Sequence, residues 1–199
     1  MRQLHPKERT AIARTALGSA CTTTDIGTES PPYRYVIICV NLCYARRMSY
    51  DLVKVTTESD WREYHAIRRH VLWEARGRSG YDDARPAEYA ANNTPLLLKL
   101  NGRPIGTTRL DNLGDRRGVV RLVAIATEFQ RRGHGRILSE LVESYARRLG
   151  LKTLFVNADP EAVGYYKKMG WENYVWDETE LTGIASDCTQ MIKVLLDKS

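Results

Sequence analysis

No stretch of this 199-residue chain approaches the roughly 20 consecutive apolar residues that cross a bilayer. The longest candidate, residues 36–45, is short and interrupted by Asn41. A secretory leader is poorly supported too, because residues 11–20 contain Arg14 and two hydroxyl residues. A cytoplasmic protein without a membrane partner is therefore expected. Cysteine is scarce: Cys21, Cys39, Cys43 and Cys188 are all there are, and three fall in the first 47 residues. Neither Cys39-x-x-x-Cys43 nor the scattered His5, His65, His70 and His134 makes a paired zinc framework. His65 and His70, five apart, point to different sides of a helix. Reduced thiols and no metal are the expectation. A surplus of positive charge is also missing where it would count. The net charge is +6, but residues 1–47 hold +4 of it, leaving +2 on the rest. A nucleic-acid footprint needs a basic face on the folded domain, so no nucleic-acid partner is expected.

With 43% hydrophobic residues the chain can bury one good core. Residues 1–34 mix Thr, Ser, Gly and Pro without helical or strand periodicity, and residues 35–45 read as an isolated strand with nothing upstream to pair with it. The segment 1–47 is expected to be an extension, disordered or the product of an over-long gene start, with the domain spanning 48–199. Residues 50–56 alternate as a half-buried strand. Thr57 or Ser59 can cap a helix whose acidic first turn holds Glu58, Asp60 and Glu63, and which carries Trp61, Tyr64, Ile67, Val71 and Leu72 at helical spacing. The segment 74–93 is polar and turn-rich. Residues 94–100 and 105–110 form strands around the hairpin signal Asn101-Gly102. A turn over 112–118 leads to a central strand over 119–126. The periodicity predicts a helix over 135–149 stopped by Gly150, a buried strand over 153–158, a helix opened by Asp159-Pro160-Glu161, and strands over 171–177 and 188–196.

The central strand runs directly into Gln130-Arg131-Arg132-Gly133-His134-Gly135-Arg136 and then a helix. A strand, a glycine turn and a helix N-terminus make an anion site, because the first N–H groups of a helix lack partners and its dipole favours negative charge. A dinucleotide fingerprint is excluded: G-x-G-x-x-G needs glycine at 138, and Leu138 stands there. The observed pattern is Q-x-x-G-x-G. It resembles the pyrophosphate-binding signature of the GNAT acyl-CoA N-acetyltransferases. The segment Ala162-Val163-Gly164-Tyr165-Tyr166-Lys167-Lys168-Met169-Gly170-Trp171 is similar to that superfamily's A-x-x-[FY]-Y-x-x-x-G-[FW].

The resemblance implies an α/β GNAT fold, with a mixed, mostly antiparallel sheet of six to seven strands, helices on both faces and a splayed central pair. It implies acetyl-CoA as co-substrate, no metal, and acetyl transfer to a primary amine by direct attack. The acceptor is a small molecule or a peptide, and the resemblance allows a homodimer. Gln130, Arg131, Arg132, Gly133, His134, Gly135 and Arg136 would hold the pyrophosphate, mainly through backbone N–H groups. Val123, Ala124 and Ile125 would pair with the pantetheine amides as a strand does. Asn157 would add a side-chain amide; a turn-forming asparagine is its plain alternative. Tyr166 matches the tyrosine that protonates the departing sulfur, with Tyr165 as a packing neighbour. The glutamate that many members carry on the central strand is absent, since the chain reads Val119-Val120-Arg121-Leu122. Asp111, Glu74, His70 and Glu88 are substitutes for the base. A catalytically silent acyl-CoA-binding sensor is the alternative that this absence suggests.

Overall fold

Three consecutive leucines, Leu96, Leu97 and Leu98, are all fully buried. Successive strand residues face opposite sides of a sheet, so such a run needs cover on both faces. The computed structural model, which describes residues 11–14, 20–23 and 48–196, supplies it. The chain divides into two units, Met1–Arg47 and Met48–Ser199. In the first, strands β1 (Ala11–Arg14) and β2 (Ala20–Thr23) pair antiparallel, in a stretch whose residue pattern carries no strand periodicity. The strand candidate over 35–45 lies outside the described residues.

The second unit holds a seven-stranded sheet. Its strands are β3 (Tyr50–Lys54), β4 (Asn93–Leu100), β5 (Arg103–Gly114), β6 (Arg117–Ile125), β7 (Thr153–Ala158), β8 (Glu172–Asn173) and β9 (Thr189–Val194), in the order β3-β4-β5-β6-β7-β9-β8. All neighbours are antiparallel except β6 and β7. Helix α1 (Glu58–Arg68) covers one face, where Val55, Tyr64, Ile67, Leu97 and Ala124 pack together. Helices α2 (His134–Arg148) and α3 (Val163–Lys168) belong to the opposite face, with Leu96, Leu98, Leu138, Val142, Ala146, Tyr166 and Trp171 in its core. Leu96→Ala or Leu98→Ala would each cost about 2–5 kcal/mol on the cavity scale.

The helix boundaries follow local chemistry. Thr57 Oγ1 accepts the Asp60 N–H at 3.1 Å, so threonine, not Ser59, caps α1. The helix widens into a π-turn over Arg69–Trp73 and stops at Gly77, which is left-handed at φ 65°. Helix α2 ends at Arg148 with Leu149 as its cap, one residue before the expected boundary. The strands β5 and β6 run further than their sequence pattern suggests, meeting in a tight turn at 114–117 rather than a loop over 112–118. The expected strand over 171–177 shrinks to Glu172–Asn173, because Trp176 N and Asp177 N donate instead to Gln190 Oε1.

Candidate functional site

The opening in the sheet begins at one residue. β6 and β7 pair in parallel from Arg117↔Thr153 to Val120↔Val156 and no further. Just beyond, Leu122 adopts φ 54°. On the other side of β6 the register jumps between Thr107↔Ala124 and Arg109↔Arg121, so Thr108 faces two residues, a β-bulge. Left-handed backbone at a leucine costs on the order of 1–3 kcal/mol. The Thr108 hydroxyl donates to the Arg121 carbonyl at 3.1 Å and holds the bulge. From there β6 pairs only with β5, while Asn157 and Ala158 of β7 pair only with β9. The edge of Val123–Ile125 that faces β7 is left without a strand partner. Val123 and Ile125 reach clefts, whereas the Ala124 side chain is buried under α1 and its carbonyl faces Gly106 of β5, so Ala124 offers nothing to the open edge.

At the far end of β6 the chain turns through Thr127–Phe129 and Gln130 into α2. Gln130 Nε2 donates to the Ile125 carbonyl at 2.8 Å, tying the loop to the strand end. Arg131 and Gly133 both have positive φ, 58° and 84°. Among the described residues, the N–H groups of Arg132, Gly133, His134 and Gly135 have no hydrogen-bond partner. They form the start of α2 beside an open cleft of about 620 Å³ walled by Arg131, Gly133, Gly135, Arg136 and Lys168. Arg132 does not line it. His134 contributes backbone alone, because its ring is buried, with Nδ1 2.9 Å from the Tyr50 hydroxyl and its edge on Phe129. A Cβ on Gly135 would meet only ordinary contacts, so this glycine leaves room for a ligand rather than satisfying the backbone. The loop thus offers unpartnered donors, positive charge and space, which is what a pyrophosphate requires.

A second cleft, of about 370 Å³, occupies the mouth of the splay. Val123, Asn157 and Tyr166 line it. Asn157 is no turn residue. It lies in β7, and its Oδ1 accepts from Gln190 Nε2 at 3.1 Å, which leaves its amide N–H groups for the cleft. The two tyrosines of α3 divide. The Tyr165 hydroxyl is 2.7 Å from Ser139 Oγ and donates to the Gly135 carbonyl at 2.9 Å. The Tyr166 ring, 6% exposed, packs edge-on against Trp171, and its hydroxyl has no hydrogen-bond partner among the described residues. Burial, followed by the neighbouring Tyr165 and Cys188, raises the Tyr166 phenol well above its ordinary value, so it keeps its proton.

The substitutes considered for a base do not reach this mouth. His70 and Glu74 pair with each other on the exposed surface at 3.2 Å. Glu88 and Asp111 belong to a ladder of alternating charge that residue spacing did not reveal. Arg68 and Arg109 both grip Glu88; Arg109 and Arg121 both grip Asp111; Arg121 holds Glu180 through two bonds of 2.6 and 2.7 Å. The ladder runs from the buried core under α1 to the cleft. Burial alone would raise the Glu88 carboxyl, but the hydrogen bonds and charges of Arg68 and Arg109 outweigh it and hold the group below its usual range. A carboxylate so engaged is a poor proton acceptor. The only hint in the sequence was Arg109 and Asp111 two apart in an apolar strand, hence on one face.

Among the described residues no helix is long and apolar enough to cross a membrane, and no three His, Cys, Asp or Glu side chains group as metal ligands. A sheet opened beside its parallel pair, with a helix N-terminus presenting free donors at the end of the opening, suits an acyltransferase. The chain belongs to the acetyltransferase (GNAT) family, whose family model matches residues 54–171. It is 25% identical over 123 residues, 61% of this chain and 82% of the relative, to the uncharacterized protein YyaT of Bacillus subtilis (strain 168). The fold is similar to that of a putative N-acetyltransferase from Lactobacillus plantarum, with TM-score 0.62 and 21% identity over 74% of this chain and 99% of that one. It is also similar to an aminoglycoside 6'-N-acetyltransferase complexed with coenzyme A, with TM-score 0.58 and 10% identity over 75% and 99% of the two chains.

Proposed function

We propose that this protein is an acetyl-CoA-dependent N-acetyltransferase acting on a primary amine by direct attack. The observation that carries the reading is the continuity of three features. They are the unpartnered N–H groups of Arg132–Gly135, the open edge of Val123–Ile125, and the unbonded hydroxyl of Tyr166 at the mouth. Acetyl-CoA supplies a thioester whose acetyl group passes to the amine nitrogen as the carbon–sulfur bond breaks. The loop from Gln130 to Arg136 binds the pyrophosphate through backbone donors and the charge of Arg131 and Arg136, which line the cleft. Main-chain groups of Val123 and Ile125 and the amide of Asn157 orient the pantetheine arm. Tyr166 keeps its proton, because burial raises its phenol, and donates a hydrogen bond to the departing sulfur as negative charge develops there.

The amine must lose its own proton, and no unengaged carboxylate lines the mouth among the described residues. Five arginines do, Arg76, Arg78, Arg85, Arg109 and Arg121. The attacking amine is therefore drawn from its unprotonated fraction, and water carries the proton away. The test is thiol release from acetyl-CoA over a panel of amines. Turnover on any of them excludes a silent acyl-CoA sensor; none, with coenzyme bound, leaves the sensor.

A further inference from the structure

An arginine-lined mouth is an unfavourable place for a cationic acceptor wherever its charges lack carboxylate partners. Arg76 is paired with Asp159. Arg109 is held by Glu88 and Asp111, and Arg121 by Asp111 and Glu180. These pairings use both carboxylates on the cleft wall, Asp159 and Glu180, together with the two behind it. Arg78 and Arg85 remain. Both belong to the segment between α1 and β4 and line the cleft as exposed residues, and among the described residues neither guanidinium makes a hydrogen bond or an ion pair. The charge of Arg78 is nonetheless felt within the site, where it acts on Asp159 and on Cys188.

A guanidinium binds carboxylate through two parallel N–H donors, and two unengaged guanidiniums beside one reaction centre form a receptor for an anion. A polycation would meet only repulsion there. The volume of about 370 Å³ lies at the small end of ligand pockets and suits a compact molecule rather than a folded surface.

We propose that the acceptor is a small primary amine that carries a carboxylate, such as an amino acid or short peptide, with Arg78 and Arg85 as the carboxylate's partners. This rests on the acetyl-transfer reading above. The carboxylate neutralises the two guanidiniums and fixes the molecule, so the amine end is aimed at the thioester beside Tyr166.

The experiment assays the full chain at saturating acetyl-CoA by thiol release. Phenylalanine, lysine and glycylglycine are each compared with their methyl esters, and spermidine serves as a polycation. The acids should exceed their esters at least tenfold in kcat/KM, through KM, and spermidine should be poorest. In Arg78→Gln/Arg85→Gln the gap should close, with coenzyme affinity measured by calorimetry as the check on folding. Esters or spermidine matching the acids would overturn the proposal, as would a double variant that keeps the gap. Absence of thiol release with every amine counts against acetyl transfer itself. Calorimetric titration of the coenzyme-A-loaded protein with the same acids and esters then decides the carboxylate site. Selective binding of acids that the double variant loses supports the site, and equal or absent binding overturns it.

Discussion

Tyr166→Phe removes one hydroxyl from the mouth of the splay and leaves every other contact of the ring. The ring keeps its edge-on contacts with Trp171 at 5.4 Å and Tyr165 at 5.2 Å between centroids. No hydrogen bond is lost, because the hydroxyl makes none among the described residues, so stability should move by no more than about 0.5 kcal/mol. Turnover should fall by roughly 10²–10⁴, equivalent to about 2.7–5.4 kcal/mol in the activation barrier. Coenzyme affinity should stay as it was. Tyr165→Phe reverses the pattern. It deletes bonds to Ser139 and Gly135 that tie α3 to the coenzyme loop, at about 0.5–1.5 kcal/mol each. Melting should fall by about 2–4 °C per kcal/mol for a domain of this size. The assay is steady-state thiol release on both variants, paired with thermal melts. A slow Tyr165→Phe beside a normal Tyr166→Phe would refute the assignment and exchange the roles. Normal rates at both positions would mean that the sulfur leaves unprotonated.

Gly135→Glu should cost at least a few kcal/mol of coenzyme binding by setting a carboxylate against the pyrophosphate, while folding persists because a Cβ there meets only ordinary contacts. Unchanged affinity by calorimetry would remove the loop from the site. Glu88→Gln should destabilise the domain by about 3–5 kcal/mol, since Arg68, 1% exposed, would keep a buried charge without its counter-ion. The Glu88 carboxyl is depressed in the folded state, so its contribution is full above the unfolded value near 4.3 and is lost as pH falls below it. Melting temperatures of wild type and variant should therefore converge in acid; a constant difference down to pH 3 would contradict the ladder. A chain starting at Met48 should melt cooperatively and bind acetyl-CoA, because all seven strands of the sheet lie after it. Loss of either property would assign residues 1–47 a structural role.

Local chemistry made much of this protein legible in its residues. The glycines of the 130–136 loop, the capping Thr57, the Asn101-Gly102 hairpin and the Tyr165–Trp171 segment act over a few neighbours, so spacing alone reveals them. Resemblance to the GNAT segments is what proposed the loop for a pyrophosphate, and register with Gly170 and Trp171 favoured Tyr166 over Tyr165. Spacing could not reveal partners far apart in the chain. Arg68, Glu88, Arg109, Asp111, Arg121 and Glu180 span more than half the molecule, and only the packing of α1 and two connecting segments against β5 and β6 brings their charges within hydrogen-bonding distance. The positive φ of Leu122 was equally hidden, since a bulge arises from the competing registers of β5 and β7 on either side of β6. Asn157 read either as a cofactor-binding amide or as a turn residue, and its place in β7 with Gln190 on its Oδ1 excludes the turn. Sequence by itself therefore determined the elements and the anion loop, which depend on backbone propensity and local hydrogen bonding. Tertiary structure decided which charges cancel and which two arginines remain, because Coulomb attraction and desolvation depend on distances that only the folded chain sets.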